Sequence, residues 1–365
     1  METSDIVVVG AGIAGIGFAW CAAGERRVRI VEQGPQPLAE ASAQNAGMLR
    51  RFVLPAEERA MACRTRVLID EIGAGLAPAD RPFRRTGAVL ALARPDPRYA
   101  AAAADLASRG VAVEPIDRRA LAELAPAMDG SPVASAWYLP DEGVVDAWTL
   151  GHRLLGDAAD RGAELSLDTR VTGLSRDGDR VVGVRTDRGP IAAELVVLAA
   201  GAWAEPIARE SGIESPVLQP KARHLLRTAE HPLAHRDHPW CWIDDVGVYV
   251  RPEAGGFLVS PCDETDLRPA PGPGSSRAVT LVGRATAQEK LAAWFPRLAD
   301  LRTQDGWVGL RTFEPVVRAP HIAQHPGGGL LWLAGLGGSG ISCGLAAAER
   351  ACELAGLDQK ASQSR

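Results

Sequence analysis

Three glycines near the start of the chain have the spacing of a phosphate-binding turn. The pattern G-x-G-x-x-G is formed by the hexapeptide Gly10-Ala11-Gly12-Ile13-Ala14-Gly15. The first glycine of this pattern permits a tight turn, the second lets the backbone approach a pyrophosphate, and the third lets a helix pack closely on a strand. A helix that begins here would direct free N–H groups and a partial positive charge at the phosphates.

The predicted elements around these glycines make the pattern specific. Residues 5–9 form an apolar run with three successive valines, which predicts a buried parallel strand, and residues 13–23 predict a helix. Residues 28–31 predict a second strand, and Glu32 follows it directly. The Glu32 carboxylate could accept hydrogen bonds from ribose hydroxyls, and an acid at this position disfavours the 2′-phosphate of NADP. The opening of the chain therefore predicts a dinucleotide-binding βαβ unit.

The composition excludes several other kinds of protein. The chain has 365 residues, enough for two lobes, and its 45 acidic and 40 basic residues leave a net charge of -5 with no basic stripe for nucleic acid. The six cysteines are scattered without a C-x-x-C pair, so neither a disulfide framework nor a zinc site is expected. His231, His235 and His238 lack further ligands at regular spacing, so we interpret their segment as a solvated loop without a metal.

Two apolar regions bear on the location of the protein. Met1 leads directly into the first strand without a basic and apolar leader, which predicts a cytoplasmic protein. Residues 330–348 are apolar enough to resemble a membrane span, but glycines, Ser339 and Ser342 interrupt them. We therefore expect a buried strand, loop and helix there and no transmembrane segment.

Three more segments combine small residues and glycines in a distinctive order. They are Ala41-Ser42-Ala43-Gln44-Asn45-Ala46-Gly47-Met48, Val196-Val197-Leu198-Ala199-Ala200-Gly201-Ala202-Trp203 and Gly335-Leu336-Gly337-Gly338-Ser339-Gly340-Ile341. Together with the opening unit, these segments resemble the D-amino acid oxidase and glycine oxidase superfamily, and the resemblance covers nearly the whole chain. In that superfamily the first segment runs along a flavin, the second ends a strand in Gly-Ala-Trp, and the third leads into the last helix.

The resemblance implies FAD as the cofactor, bound without a covalent link because no matching histidine or cysteine is apparent. It places the N-terminus of the last helix at the pyrimidine end of the flavin, where the helix dipole would stabilise the reduced form. The residues that it assigns to the cofactor are Gly10, Gly12, Ile13, Ala14, Gly15, Glu32, Gln33, Ser42, Ala43, Asn45, Ala46, Gly47, Met48, Val171, Gly201, Trp203, Gly337, Gly338, Ser339, Gly340 and Ile341.

The remaining segments alternate between helical and strand patterns. The further predicted elements are helices at 100–107 and 150–161, a hairpin at 170–186, a buried strand at 194–200, a hairpin at 246–260, a loop at 268–276, a strand at 330–333 and a final helix through 355. The resemblance implies an α/β fold in which a Rossmann-type FAD-binding domain of the glutathione reductase-like kind is interwoven with an α+β substrate domain built on an antiparallel sheet. We place the first domain at 1–80, 145–220 and 305–365 and the second at 81–144 and 221–304.

Two arginines and a tyrosine are candidates for the substrate site. Arg311 ends a Gly-Leu-Arg motif that matches the superfamily's arginine for the substrate carboxylate. A guanidinium suits this role because it binds a carboxylate through two parallel bonds and keeps its charge when desolvated. Tyr249 matches a tyrosine that bonds the same carboxylate. The segments 218–223 and 249–266 most resemble D-arginine dehydrogenase and its relatives, in which Arg223 matches a substrate-site arginine.

The predicted lid of the pocket departs from those relatives. Where they carry a histidine and a tyrosine, this chain has Met48 and Val53, with Arg50 between them. Met48 is thus a further candidate for the substrate site. Arg50 or Arg51 would repel a cationic side chain, so we expect a substrate whose side chain is apolar or acidic.

The resemblance implies a reaction in which hydride moves from the substrate Cα to flavin N5 and the imine product hydrolyses to a 2-oxo acid and ammonia. A small D-amino acid is the substrate expected first, and oxygen, a quinone or another oxidant accepts the electrons. No lysine matches the position that assists oxygen reduction, which favours a dehydrogenase over an oxidase. The alternatives are oxidation of glycine, sarcosine or another secondary amine, oxidation of a 2-hydroxy acid with His224 as the base, and a flavin-binding subunit without turnover.

Overall fold

The structure, a computed structural model, describes residues 2–269, 277–316 and 319–357, so most of the loop predicted at 268–276 lies outside the described residues. Within these ranges the chain forms eight α-helices. They are α1 (Ile13–Ala22), α2 (Ala56–Gly73), α3 (Pro97–Ser108), α4 (Arg118–Leu124), α5 (Ala147–Ala159), α6 (Ala204–Glu210), α7 (Leu281–Trp294) and α8 (Gly340–Leu354).

The strands of the described residues fall into three sheets. They are β1 (Glu2–Val9), β2 (Val28–Val31), β3 (Met48–Leu49), β4 (Phe83–Arg85), β5 (Ala88–Leu92), β6 (Glu114–Ile116), β7 (Ser135–Leu139), β8 (Gly143–Val145), β9 (Glu164–Ser166), β10 (Val171–Asp177), β11 (Arg180–Thr186), β12 (Gly189–Leu198), β13 (Gln219–Thr228), β14 (Trp240–Ile243), β15 (Val248–Glu253), β16 (Gly256–Ser260), β17 (Thr265–Asp266), β18 (Thr303–Phe313), β19 (His321–Gln324) and β20 (Leu330–Ala334).

The first sheet has eight strands and a parallel centre. β1 pairs in parallel with both β2 and β12, β20 joins β12 in parallel, and β9 extends the sheet beyond β2. Val8 belongs to the core cluster that includes α1 and α8, whereas Val7 and Val9 belong to the cluster that includes α6. The valine run is therefore buried on both faces, as a strand at the centre of a parallel sheet requires. The Rossmann-type fold predicted from the sequence is confirmed.

The second sheet has nine strands and is mostly antiparallel. Its order is β17-β13-β16-β15-β14-β5-β7-β6, with β18 also paired to β13. In the long ladder between β13 and β18, Lys221 lies opposite Arg311 and Arg223 lies opposite Gly309. Since residues two apart on a strand share a face, Arg223 and Arg311 lie on the same side of the sheet as diagonal neighbours. A third sheet has the order β3-β8-β4.

Most of the predicted local elements are present, although their bounds differ by a few residues. The helices predicted at 100–107 and 150–161 are α3 and α5, and the two predicted hairpins are β10–β11 and β15–β16. The sequence patterns do not predict α2 or α7. The buried face of α2 includes Arg59 and Thr65, which interrupt an apolar stripe, and the buried face of α7 consists of few and mostly small residues.

A buried ion pair joins the segment after β3 to the turn before β8. Arg51 donates to Oε1 of Glu142 from its backbone N at 3.1 Å and from Nε at 3.0 Å. The Glu142 side chain has no exposed surface, and Arg51 is also buried. Burial raises the pKa of Glu142, and the charge of Arg51 opposes this shift. Both groups depend on each other to remain charged inside the protein.

Glu142→Gln is expected to destabilise the protein by about 3–5 kcal/mol, because it leaves the Arg51 cation buried without its counter-charge. The double variant Arg51→Met/Glu142→Leu removes both charges and should lose much less stability. Chemical denaturation of both variants and the wild type measures the free energies of unfolding. Equal losses in the single and the double variant would show that the ion pair is not the cause.

Candidate active site

A cavity of about 440 Å³ lies at the carboxyl ends of β1, β2 and β20. In doubly wound parallel sheets, this edge is where ligands bind. Among the residues assigned to the cofactor from the sequence, those that line the cavity are Gly10, Gly12, Ile13, Ala14, Glu32, Gln33, Ser42, Asn45, Val171, Gly201, Trp203, Gly337, Gly338, Gly340 and Ile341. The structure thus brings together segments from the start, middle and end of the chain.

The glycine-rich turn presents backbone rather than side chains to this cavity. Gly10 has a φ of 101°, and a Cβ there would lie 2.8 Å from the carbonyl oxygen of Ala199. At Gly12 a Cβ would meet Ser42 Oγ at 3.3 Å. A Cβ on Gly15 would lie 2.1 Å from the carbonyl oxygen of Gly10, so Gly15 packs α1 against the turn and does not line the cavity. These are the three roles that the glycine spacing predicts.

The Glu32 carboxylate is fixed at the end of β2. Its Oε2 accepts a hydrogen bond from Ala11 N at 2.8 Å, and its Oε1 accepts one from Gly34 N at 2.9 Å. Burial raises the pKa of Glu32, while these two bonds oppose the shift. Each carboxylate oxygen retains a further lone pair, which a ribose hydroxyl in the adjoining cavity could use.

The segment of small residues at 41–48 runs between the large cavity and a smaller one. Ser42 lines the large cavity, where its Oγ accepts from Ile13 N at 2.9 Å in the first turn of α1. Asn45 lines both cavities and braces the segment. Its Oδ1 accepts from Gly47 N, and its Nδ2 donates to Ser42 O, each at 2.5 Å.

The glycines on the far side of the large cavity leave space for a flat cofactor. A Cβ added at Gly201, Gly338 or Gly340 would meet no atom of the described chain within 4 Å. α8 begins at Gly340 without a side chain that caps its first N–H groups, so these donors and the positive end of the helix remain for a ligand. Together with the backbone donors of the glycine turn and the Glu32 carboxylate, these features fit FAD.

The smaller cavity, of about 40 Å³, adjoins the large one, because Asn45, Arg311, Gly338 and Ile341 line both. Its other lining residues are Ala46, Gly47, Met48, Arg50, Arg223, Trp242, Tyr249, Ser339 and Ser342. The structure thus brings together Arg311, Tyr249, Arg223 and Met48, the four candidates for the substrate site. Trp242 joins them without any signal in the sequence, since β14 brings it from a segment that carries no recognised motif.

Arg311 is a buried cation where the two cavities meet. It is 6% exposed, and its guanidinium donates only to carbonyl groups of the described residues. Nη2 lies 2.6 Å from Gln44 O, and Nη1 lies 3.0 Å from Leu310 O. Burial lowers the pKa of Arg311 to about 10, so it remains a cation at neutral pH. A buried cation without a carboxylate partner favours the binding of an anion.

Arg223 and Tyr249 are held by their neighbours on the second sheet. Arg223 Nε donates to Asp263 O at 2.9 Å, and its Nη2 pairs with Glu264 Oε1 at 3.2 Å. The ring centroid of Tyr249 lies 4.7 Å from that of Trp242. Burial raises the pKa of Tyr249, so its hydroxyl stays protonated and can donate a hydrogen bond.

The structure separates the residues of the predicted lid. Arg50 lines the small cavity with Met48, whereas Val53 is buried and lines neither cavity. Arg51 forms an ion pair with Glu142, so of the two arginines only Arg50 lines the small cavity. Ala43 is exposed and also lines neither cavity. Arg50 and Arg51, consecutive residues directly after β3, thus have different surroundings.

His224, the candidate base for a hydroxy acid, lies outside both cavities. It is buried, with Nδ1 at 2.6 Å from Asp263 Oδ2 and Nε2 accepting from Thr280 N at 3.1 Å. It is therefore not placed to take a proton from a substrate. In the described part of the chain, no group of three or more metal-binding side chains could hold an ion.

The sequence profile of the FAD dependent oxidoreductase family called DAO matches residues 5–354. The chain belongs to this family. The match spans the glycine turn, the segment of small residues and the last helix. The superfamily and the FAD cofactor that these motifs predict are thereby confirmed. The match to the DAO family includes the residues that line the two cavities.

Several named members of the DAO family are similar to this chain over part of its length. Glycine oxidase from Pseudomonas aeruginosa is 34% identical over 172 residues, which are 47% of this chain and 43% of that protein. 4-Methylaminobutanoate oxidase (formaldehyde-forming) from Paenarthrobacter nicotinovorans is 34% identical over 197 residues, which are 53% of this chain and 23% of that protein. The match thus spans less than half the length of either relative. Glycine oxidase from Geobacillus kaustophilus is 27% identical over 338 residues, 88% of this chain and 84% of that protein.

Solved structures share the fold over nearly the whole chain. L-proline dehydrogenase from P. horikoshii has a TM-score of 0.85 at 22% identity, over 97% of this chain and 93% of that chain. Glycine oxidase from Geobacillus kaustophilus has a TM-score of 0.79 at 23% identity, over 98% of this chain and 96% of that chain. Within the described residues, none of the helices has the length and apolar character needed to cross a membrane.

Proposed function

We propose that this DAO family protein oxidises the Cα–N bond of a small amino acid, with a D-amino acid as the substrate expected first. The proposal rests on Arg311, a buried cation that has no acidic partner among the described residues and lies where the two cavities meet. A substrate carboxylate would supply the missing negative charge and would hold the substrate beside the cofactor cavity. The names of the two glycine oxidases support the same class of substrate.

The residues of the small cavity bind and orient the substrate in this proposal. The guanidinium of Arg311 and the hydroxyl of Tyr249 donate to its carboxylate, and Arg223 adds positive charge from the same face of the sheet. Met48 contributes an apolar wall. FAD in the large cavity would accept the hydride, with its two electrons, that leaves the substrate Cα as the Cα–N bond becomes an imine. The imine that remains takes up water and yields a 2-oxo acid and ammonia.

The domain division predicted from the sequence remains part of the proposal. All strands of the first sheet lie within 1–80, 145–220 and 305–365. Most strands of the second sheet lie within 81–144 and 221–304, but β13 and β18 cross the borders at 220 and 305. The ladder between these two strands, which includes Arg311, therefore joins the two proposed domains.

We propose a dehydrogenase that passes its electrons to a quinone or another acceptor in preference to oxygen. Of the lysines in the described residues, neither Lys221 nor Lys290 lines a cavity. Lys221 pairs with Asp266 at 2.6 Å, and Lys290 donates to three backbone carbonyl groups. Within the described residues, no lysine ammonium thus lines the cofactor cavity, where it could promote electron transfer to oxygen.

The kcat/KM for amino acid oxidation is expected to rise with pH. The described residues that line the small cavity include no Asp, Glu or His, so no such side chain is placed to accept a proton from a substrate ammonium group. The amine must therefore bind in its neutral form, and kcat/KM should increase about tenfold per pH unit below the pKa of the amine. Steady-state kinetics from about pH 6 to pH 9 tests this. A flat profile would show that a protein group takes the proton.

Oxidation of a secondary amine is the second candidate. Two of the compared proteins are named for such substrates, 4-methylaminobutanoate oxidase and L-proline dehydrogenase. Arg311 would hold the carboxylate of these substrates in the same way. The position of His224 outside the cavities leaves the 2-hydroxy acid reaction without its base. The presence of Arg311 and Tyr249 in one cavity argues against a flavin-binding subunit without turnover.

An anaerobic titration of the flavin absorbance tests the proposal. The purified protein is mixed with pooled D-amino acids, then with pooled L-amino acids, and then with glycine and N-methyl amino acids. Loss of the flavin band with the D pool is the expected result. Loss only with N-methyl amino acids would favour the second candidate, and an unchanged band with every pool would contradict amine oxidation.

A further inference from the structure

We propose that the substrate is an amine with two carboxylates and that Arg50 binds the second one. This inference rests on the proposed function, since Arg311 is taken to bind the first carboxylate. It narrows the substrate to an amino or imino dicarboxylate. The contacts of Arg50, its unused donors and the charge of the cavity lining support this assignment.

Arg50 is held in the small cavity from three sides. Its backbone N donates to Ser342 Oγ at 2.9 Å, which ties it to the first turn of α8. Its guanidinium carbon lies 4.1 Å from the ring centroid of Trp242, and Nη1 lies 3.3 Å from Asp244 Oδ1. The side chain is 18% exposed. A guanidinium that is fixed and partly desolvated in this way binds an anion at little further cost in conformational entropy.

The ion pair with Asp244 leaves part of the Arg50 guanidinium unused. Oδ2 of Asp244 accepts a hydrogen bond from the Tyr99 hydroxyl, so the carboxylate is shared between two partners. Nε and Nη2 of Arg50 donate to no acceptor in the part of the chain that the structure describes. Asp244 itself does not line the cavity. Asp244 and Tyr99 therefore act as an anchor behind Arg50, whose other donors remain for a ligand.

The charge of the lining favours a second carboxylate. Arg50, Arg223 and Arg311 line the small cavity, and no Asp or Glu of the described residues does. The carboxylate partners of Arg50 and Arg223 stand outside the lining, and Arg311 has none among the described residues. An amino acid with a neutral side chain has one carboxylate, which would pair with Arg311 and leave the unused donors of Arg50 without an anion. A dicarboxylate would also satisfy Arg50, whereas a cationic side chain would be repelled.

Two acids and their amides of matched shape, together with an imino pair in which one member lacks the second carboxylate, provide the first test. D-aspartate is compared with D-asparagine, D-glutamate with D-glutamine, and iminodiacetate with N-methylglycine as the imino pair. Anaerobic flavin reduction and steady-state rates of the wild-type holoenzyme give kcat/KM for each. We expect the dicarboxylate of a pair to be favoured about 10- to 100-fold, the range of a charge-assisted hydrogen bond.

The variant Arg50→Gln tests whether Arg50 causes the preference for dicarboxylates. The ratio of kcat/KM for acid and amide should fall by about 10- to 100-fold in this variant. Arg50→Lys keeps the charge but loses the planar fork, so its ratio should be intermediate. Arg94→Gln is the matched control, because its side chain is 86% exposed and lines neither cavity, and its ratio should equal that of the wild type.

A binding measurement separates this inference from the proposed function. Calorimetry with succinate and glutarate, each against butyrate, requires no turnover, and diacid binding should weaken in Arg50→Gln. If amides reduced the flavin faster than dicarboxylates, the Arg50 assignment would be overturned while amine oxidation stood. If no amine reduced the flavin, the proposed function would fail, and equal diacid binding by wild type and Arg50→Gln would then overturn the assignment as well.

Discussion

Replacement of Arg311 by methionine is expected to lower kcat/KM by about 100- to 1,000-fold, or about 3–4 kcal/mol. The variant would leave the substrate carboxylate in the small cavity without the guanidinium that donates two hydrogen bonds to it. The substrate would also lose the contact that directs its Cα–N bond at the cofactor cavity, so both KM and kcat should suffer. Single-turnover reduction of the flavin separates the two effects.

The stability of the Arg311→Met variant should change little, which distinguishes this prediction from a folding defect. The guanidinium is desolvated and contacts only carbonyl groups of the described residues, so its removal ends a desolvation penalty as well as two hydrogen bonds. Arg311→Lys keeps the charge without the fork and should recover part of the activity. Full activity of Arg311→Met on amino acids would contradict the assignment of the carboxylate site.

Gly338→Val is expected to weaken FAD binding about 10- to 100-fold while the protein still folds. A Cβ at Gly338 meets no described atom within 4 Å, and its φ is not positive, so neither a clash nor backbone strain opposes a side chain in the cofactor-free protein. Gly338 lines both cavities, and the added methyl groups would enter the space that the cofactor needs. The flavin-to-protein absorbance ratio and a titration with FAD measure the effect.

Gly156→Val is the control for this substitution. Gly156 is an exposed position of α5 where a Cβ also meets no described atom within 4 Å, but it lines neither cavity. This variant should fold as well as the wild type, because valine has a somewhat higher helix propensity than glycine, and it should retain its flavin. If Gly338→Val bound FAD as well as the wild type and Gly156→Val did, the cofactor would have to lie away from the last glycine-rich loop.

The cofactor-binding part of the site can largely be predicted from the sequence, because local backbone conformation determines it. Gly10 and Gly15 occupy positions where a Cβ would strike the backbone, and the valines of β1 are buried on both faces of the sheet. Each of these constraints requires a particular type of residue, and the constrained residues lie close together in the sequence. Patterns of this kind predict the βαβ unit, the FAD-binding family and the segment of small residues correctly.

The strand pairing of the second sheet is harder to predict from the sequence. Its hairpin β15–β16 is predicted by alternation and a turn. The ladder between β13 and β18, however, joins residues 75 to 94 positions apart, and pairing at such distances leaves no local pattern. Arg223 and Arg311 are recognisable only through their resemblance to family motifs. Their arrangement as diagonal neighbours on one face becomes visible once the register of the two strands is known.

The sequence by itself determined the fold class, the cofactor turn and the types of residue that can bind a carboxylate. Only the tertiary structure decided which arginine of the pair after β3 lines the small cavity. Arg51 is buried with Glu142, whereas Arg50 meets Trp242 and Asp244, which follow almost 200 positions later in the chain. The physical reason is that the direction and the charge environment of a side chain depend on partners from distant segments, and these partners come together only when the sheets pack.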